Sequence, residues 1–164
     1  LMRRFAAMLV LVLAGCGFKP SNIVQLNEQS GPFSVSSDNI YSALADNIER
    51  ALDLTGARIA QNGEPAYRVV IVSENTQTRP LSINEFAQVR EFVIRYTVVY
   101  SLIDPAGKVL IDNQTVALRR VYTYDSQLSA GSPAEEALLI REMQAEMVRA
   151  ILRRTSVVLQ PAKA

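Results

Sequence analysis

The sequence predicts an α+β domain. It is a two-layer sandwich, with one mostly antiparallel four-stranded sheet and two helices packed on one face, in the order β-α-β-β-β-α. Three observations predict it. Glu91 to Asp104 alternates between two kinds of side chain over a dozen positions, the period of a strand. Asp104-Pro105-Ala106-Gly107 has turn chemistry and folds that strand back on a second long run. Two other stretches, about 38 to 55 and 133 to about 154, repeat apolar residues every three or four positions, as helices do. Two such stripes and one sheet face bury each other in two layers, which leaves the second sheet face open.

The chain opens with a leader. Arg3 and Arg4 precede an apolar run from Phe5 to Val12, and Leu13-Ala14-Gly15-Cys16 follows. A basic start, a short apolar stretch and small residues before a cut describe a secretory signal peptide. A membrane-spanning helix needs about 20 apolar residues, more than this run holds. Leu13-Ala14-Gly15-Cys16 resembles the lipobox of bacterial lipoproteins. The resemblance implies removal of residues 1–15, diacylglycerol on the Cys16 sulfur and acylation of the freed amine. Cys16 is thus the expected lipidation site, and this covalent lipid the only cofactor. Residues 16–30, with Pro20, Ser21 and Asn22, read as a tether. Glycine rather than aspartate at position 17 fits the lipoprotein pattern for export to the outer membrane.

The folded domain is expected over residues 31–155, with a flexible tail over 156–164. Phe33 and Val35 alternate with polar neighbours in a short first strand. Ser37-Asp38-Asn39 offers helix-capping side chains. Ile40, Leu44, Ile48 and Leu52 then form an apolar stripe with Tyr41 beside it, and Gly56 serves as C-cap. Val69 to Val72 is β-branched and predicts a strand from Tyr67 to Ser73. A polar extension through Thr78 reads as an arm, stopped by Arg79-Pro80. In the strand from Glu91, Phe92, Ile94, Tyr96, Val98, Tyr100 and Leu102 share the core face. Arg95, Thr97 and Ser101 share the other. Val109 to Tyr124 returns antiparallel, with a bulge expected near Asp112-Asn113, where the alternation slips. Residues 126–131 read as a loop. Ser132, Pro133 and Glu135 fit the N-cap, first-turn and capping-box positions of the last helix. Ile140, Met143, Met147 and Ile151 are its stripe.

Composition narrows the function. There is no histidine, so histidine-based nucleophilic catalysis and histidine metal sites are excluded, and no metal site is expected. Lys19, Lys108 and Lys163 lie in the tether, a turn and the tail, so none is placed as a buried base. The seven glycines form no phosphate loop. No enzymatic activity is expected; carboxylate-only hydrolysis is the one class composition leaves open. Two of the 17 basic residues belong to the leader, which leaves 15 against 16 acidic ones and no electrostatic footprint for nucleic acid. With a single cysteine no internal disulfide can form.

The lipobox, the order of elements and the last third of the chain together resemble the LptE family of LPS-assembly lipoproteins. The residues that carry this are the paired long strands, Arg120-Val121-Tyr122-Thr123-Tyr124-Asp125, the helix start Glu135-Glu136 and the finish Ile151-Leu152-Arg153-Arg154. The resemblance implies a non-enzymatic outer-membrane lipoprotein on the periplasmic face. Its partner would be the large LptD-like β-barrel of the LPS translocon, which it would plug, and it would contact LPS. Polar residues from Ser73 to Gln77 and from Asn113 to Thr115 suit a polar lumen, and equally suit solvated strand faces. Arg79, Arg90 and Arg120 are the candidate LPS contacts, since arginine binds phosphate bidentately. Arg79 and Arg90 flank an expected loop from Pro80 to Val89, which carries Leu81, Ile83 and Phe86. A lipid-anchored auxiliary subunit of an envelope ABC transport system is the alternative.

Overall fold

The structure, a computed structural model, describes residue 26 and residues 31–39, 41–86, 88–124 and 132–160. The leader, Cys16, most of the tether and the expected loop at 126–131 lie outside the described residues. Six elements follow in the expected order: β1 (Phe33–Ser37), α1 (Ala43–Leu54), β2 (Tyr67–Ile83), β3 (Val89–Ile103), β4 (Val109–Thr123) and α2 (Ser132–Leu159). The sheet order is β1-β2-β3-β4. The first pair is parallel and the other two antiparallel. A parallel pair needs a crossover, and α1 supplies it.

The core lies between the helices and one sheet face. Leu44, Ile48 and Leu52 of α1 and Met143, Met147 and Ile151 of α2 are fully buried. They meet Ile94, Tyr96, Val98, Tyr100 and Leu102, the expected even face of β3. Each large apolar side chain removed from water contributes on the order of 1.5–3 kcal/mol.

The helix ends differ from expectation. α1 begins at Ala43, not near residue 38. Ser42 is its N-cap, with Oγ accepting from the Ala45 N–H at 3.3 Å. Ser37 and Asn39 instead accept from the Asn39 and Tyr41 amides, at 3.2 and 3.0 Å, and build a turn ahead of the helix. Tyr41 lies in that turn and is 87% exposed, so it does not flank the buried stripe. Ile40 lies outside the described residues. At the other end Gly56 adopts φ +80°, its N–H reaches Asp53 O and the Ala57 N–H reaches Leu52 O. That is a Schellman closure, with buried Ala57 and Leu52 as its apolar contact.

α2 continues past the expected end near 154 to Leu159. Thr155 and Ser156 are buried, so packing overrides the weak helix propensity of the valines that follow. Residues 156–159 are therefore helix rather than flexible tail. The helix also includes Ser132 itself.

β2 runs on through Arg79-Pro80, which was expected to stop it. β1 pairs with β2 only as far as Ile71, so among the described residues the outer edge of β2 is unpaired beyond it. Proline is tolerated on such an edge or at a bulge, and a register shift follows Pro80 directly. The turn after β3 forms as expected, with the Gly107 N–H donating to Asp104 O at 3.0 Å. The β4 bulge falls at Asp112-Asn113, where two residues separate the partners of Tyr100 and Leu102. Asn113 takes φ +43°, and its N–H donates to Ser101 Oγ at 3.0 Å.

Candidate functional site: the open sheet face

A one-residue bulge at Val72 decides which β2 side chains reach which face. Before it Val69 and Ile71 pair with Leu102 and Tyr100 on the core side. After it the parity reverses: Glu74, Thr76 and Thr78 stand opposite Val98, Tyr96 and Ile94. Ser73, Asn75, Gln77 and Arg79 therefore turn to the open face.

The inward residues become polar clamps between layers. The Ser42 and Tyr96 hydroxyls both donate to the Glu74 carboxylate, at 2.8 and 2.6 Å. Thr78 and Tyr122 donate in the same way to Glu136 on α2, at 2.6 and 3.0 Å. Burial, reinforced by Glu74, pushes the Tyr96 hydroxyl well above the ordinary tyrosine range. Burial and the Glu136 carboxylate raise Tyr122 to about 12. Each carboxylate ties a helix, or its cap, to the protruding half of the sheet.

The open face carries the charge. Gln77 pairs with Arg95, and Arg95 with Arg119, in one row across three strands. Arg79 stands one row further out, opposite Val93, and its guanidinium donates to Gln77 Oε1 at 2.9 Å. Gln77, Arg79, Val93 and Arg95 line an open depression of about 350 Å³. The neighbouring rows are Asn75–Thr97–Ala117 and Ser73–Val99–Thr115, which are uncharged. Glu91, two rows from Arg95, accepts from the Ser82 hydroxyl at 2.6 Å. Among the described residues the ion pairs are Arg58–Glu64 and Arg120–Glu146, and neither involves this row. The row presents guanidiniums with free donors to anything that approaches the face, an arrangement that suits phosphate oxygens.

The three arginines expected to contact LPS do not converge. Arg79 is on the open face. Arg120 stands opposite Ile94 on the helix side, in an ion pair with Glu146 at 2.6 Å. Arg90 is exposed near the hairpin tip, and its carbonyl accepts from the Tyr124 N–H. The tip is tighter than the expected loop, because β2 reaches Ile83 and β3 begins at Val89. Asn84 Oδ1 holds it by accepting from the Phe86 and Gln88 amides. Ile83 and Phe86 project there, 65% and 74% exposed. Arg95 is the member of the row that the sequence does not point to; Arg119 is one of the basic residues that the sequence places near the strand-end loops, though not one of the three candidate contacts. Strand parity places Arg95 on the open face, but only the register shifts at the β4 bulge set Arg119 opposite it.

A mixed four-stranded sheet with two helices on one side and a polar, basic open face defines the class. It is a small α+β domain whose two helices cover one face of the sheet. Comparison with known proteins fixes the family. The family model described as LptE, lipopolysaccharide-assembly, matches residues 30–155. The chain is 26% identical to the LPS-assembly lipoprotein LptE of Photorhabdus laumondii subsp. laumondii, covering 88% of this chain and 79% of that protein. It is similar to the solution structure of lipoprotein B from Nitrosomonas europaea at 26% identity, with TM-score 0.71 and coverage of 85% and 90%. The crystal structure of the rare lipoprotein B from Shewanella oneidensis shares the fold, with TM-score 0.69, 21% identity and coverage of 77% and 94%. The chain belongs to the LptE family of lipopolysaccharide-assembly lipoproteins.

Proposed function

We propose that this chain works without catalysis, as the lipid-anchored partner of an LptD-like β-barrel at the periplasmic face of the outer membrane. It plugs the barrel lumen and presents its open sheet face to LPS. The observation that carries the reading is the row Gln77–Arg95–Arg119 with Arg79 beside it. A rigid sheet displays three arginines, with uncharged rows on one side of them and Glu91, bonded to Ser82, in the row beyond Arg79. Barrel lumens are polar, so a plug must meet them with hydrogen-bonding groups. Ser73, Asn75, Gln77, Thr97 and Thr115 supply such groups. Lipid A phosphates are dianionic, and paired guanidiniums on a preorganised strand surface suit them.

The family match supports the role in LPS assembly, and the lipobox at Cys16 supports the anchor. The experiment is LPS binding by the soluble domain carrying Arg79→Gln, Arg95→Gln and Arg119→Gln together. The account expects affinity for LPS to fall at least tenfold, with a smaller loss for Arg120→Gln, whose charge is already committed to Glu146. Equal losses from the two variants would reject the open face as the LPS surface.

A further inference from the structure

A second basic surface lies on the opposite side of the molecule, where α1 and α2 run past each other. The groove between them has a volume of about 520 Å³. Arg50 lines it from α1, and Arg141 and Arg149 line it from α2. Its floor is made of small or apolar groups: Ala51 and buried Val148. Leu54, in the last turn of α1, also lines the groove and is 86% exposed. The lining residues of each helix recur at three- and four-residue steps, so each contributes one continuous stripe. From Arg141 to Arg149 the groove runs about 12 Å, or two helical turns.

The charge of this groove is unanswered. None of the three arginines belongs to an ion pair among the described residues. On α2 the positions four residues from Arg141 and from Arg149 are alanine or arginine, and Glu146, three residues before Arg149, is held in the ion pair with Arg120. On α1, Asp46, Glu49 and Asp53 line a neighbouring depression that Arg50 also borders, so the unanswered charge of the groove is that of Arg141 and Arg149. A second copy of this chain is a poor occupant, since a two-fold interface would set this basic patch against itself.

We propose that the α1–α2 groove is a docking site for an acidic, amphipathic segment of a protein partner. The segment seats an apolar residue against Leu54 and the alanine floor, and its Asp or Glu side chains meet Arg141 and Arg149. This is the helix-in-groove or strand-in-groove mode of peptide recognition, with charge setting the polarity of the partner. The proposal does not depend on the open face meeting LPS, nor on the partner being a barrel.

The test is site-specific photo-crosslinking with the full chain in its own envelope, with benzoylphenylalanine in place of Leu54 and the captured segment sequenced by mass spectrometry. The expected product is one protein segment with at least two acidic residues close to the crosslinked position. Its yield should drop roughly five-fold in an Arg141→Glu/Arg149→Glu variant, the size expected from losing two exposed charge pairs. The corresponding lysine variant should keep the yield. Unchanged circular dichroism shows that the glutamate variant is folded; if it is not, the glutamine pair replaces it. Capture of lipid, of another copy of this chain, of a segment without acidic residues, or of nothing overturns the proposal. The same photo-probe at Thr97 reads the open face separately. A groove crosslink without a barrel crosslink at Thr97 leaves the docking site standing and counts against the plug reading alone.

Discussion

Arg95 and Arg119 stand directly opposite each other on β3 and β4, on the open side of the sheet. Like charges in that relationship repel, and a cross-strand pair of this kind is worth roughly 0.2–1 kcal/mol. Arg119→Gln should therefore stabilise the isolated domain by up to about 1 kcal/mol, or about 4 °C in melting temperature for a chain of this size. The gain should shrink as salt screens the pair. The same variant should bind LPS more weakly. Thermal melts at low and high salt, set beside a binding assay, read both effects. A destabilised Arg119→Gln would mean that the pair is held by contacts other than a bound anion.

Glu74 accepts from two hydroxyls at once, Ser42 on the helix cap and Tyr96 in the core. Removing it leaves the Tyr96 hydroxyl in a site with 1% exposure and no acceptor. An orphaned buried donor costs about 1–3 kcal/mol, so Glu74→Ala should lower stability by that amount in a urea titration. The double variant Glu74→Ala/Tyr96→Phe should recover part of the loss, because the orphan is gone. A double variant as unstable as the sum of its parts would show that Glu74 and Tyr96 act independently.

Alkaline pH should destabilise the fold through its tyrosines. Tyr96 and Tyr122 are raised above the ordinary tyrosine value, mainly by burial and then by their carboxylate partners. A group with a raised folded pKa stabilises the fold fully below its unfolded pKa and loses that contribution as pH climbs toward the folded one. The unfolded value is about 10, so the loss begins there, and for Tyr122 it completes near pH 12. Unfolding free energies measured from pH 8 to 12 should fall over that window. The slope should be shallower in Tyr122→Phe. A flat profile above pH 10 would contradict the clamp geometry.

Gly56 holds φ +80° at the end of α1, where an added Cβ would meet no neighbour within 4 Å. Only backbone conformation opposes a side chain there. Gly56→Ala should cost about 1–2 kcal/mol, and Gly56→Asn less, since asparagine visits that region more readily. Chemical denaturation of the pair distinguishes conformational strain from packing: equal losses in both variants would point to packing.

Much of the fold is legible because local patterns and packing agree. The even face of β3, the Asp104–Gly107 turn, the bulge at Asp112-Asn113 and the glycine closure at Gly56 all follow from spacing and turn chemistry. The misses have physical causes. Ser37, Asp38, Asn39 and Ser42 are all plausible caps, and only tertiary contact with Glu74 singles out Ser42. Pro80 reads as a stop unless it is known that β1 covers just the first part of β2. Ser156 to Leu159 looks like a tail until the core claims Thr155 and Ser156. The open-face row was half visible: alternation puts Arg95 outward, but the partner of Arg95 depends on two register shifts that no local pattern counts. The bulge at Val72 is the subtler case, since it turns Glu74 inward from a stretch that reads as polar surface.

The central claim is that this LptE-family chain acts as the partner of an outer-membrane barrel. The most direct measurement is a mild-detergent pulldown of the C-terminally tagged full chain from outer membranes, with co-eluting proteins identified by mass spectrometry. The account predicts one large β-barrel protein in stoichiometric amount, and its loss from the membrane-bound complex when Cys16→Ser removes the anchor or lowers the abundance of the chain. Recovery of transporter subunits instead, or of the chain alone, would contradict it.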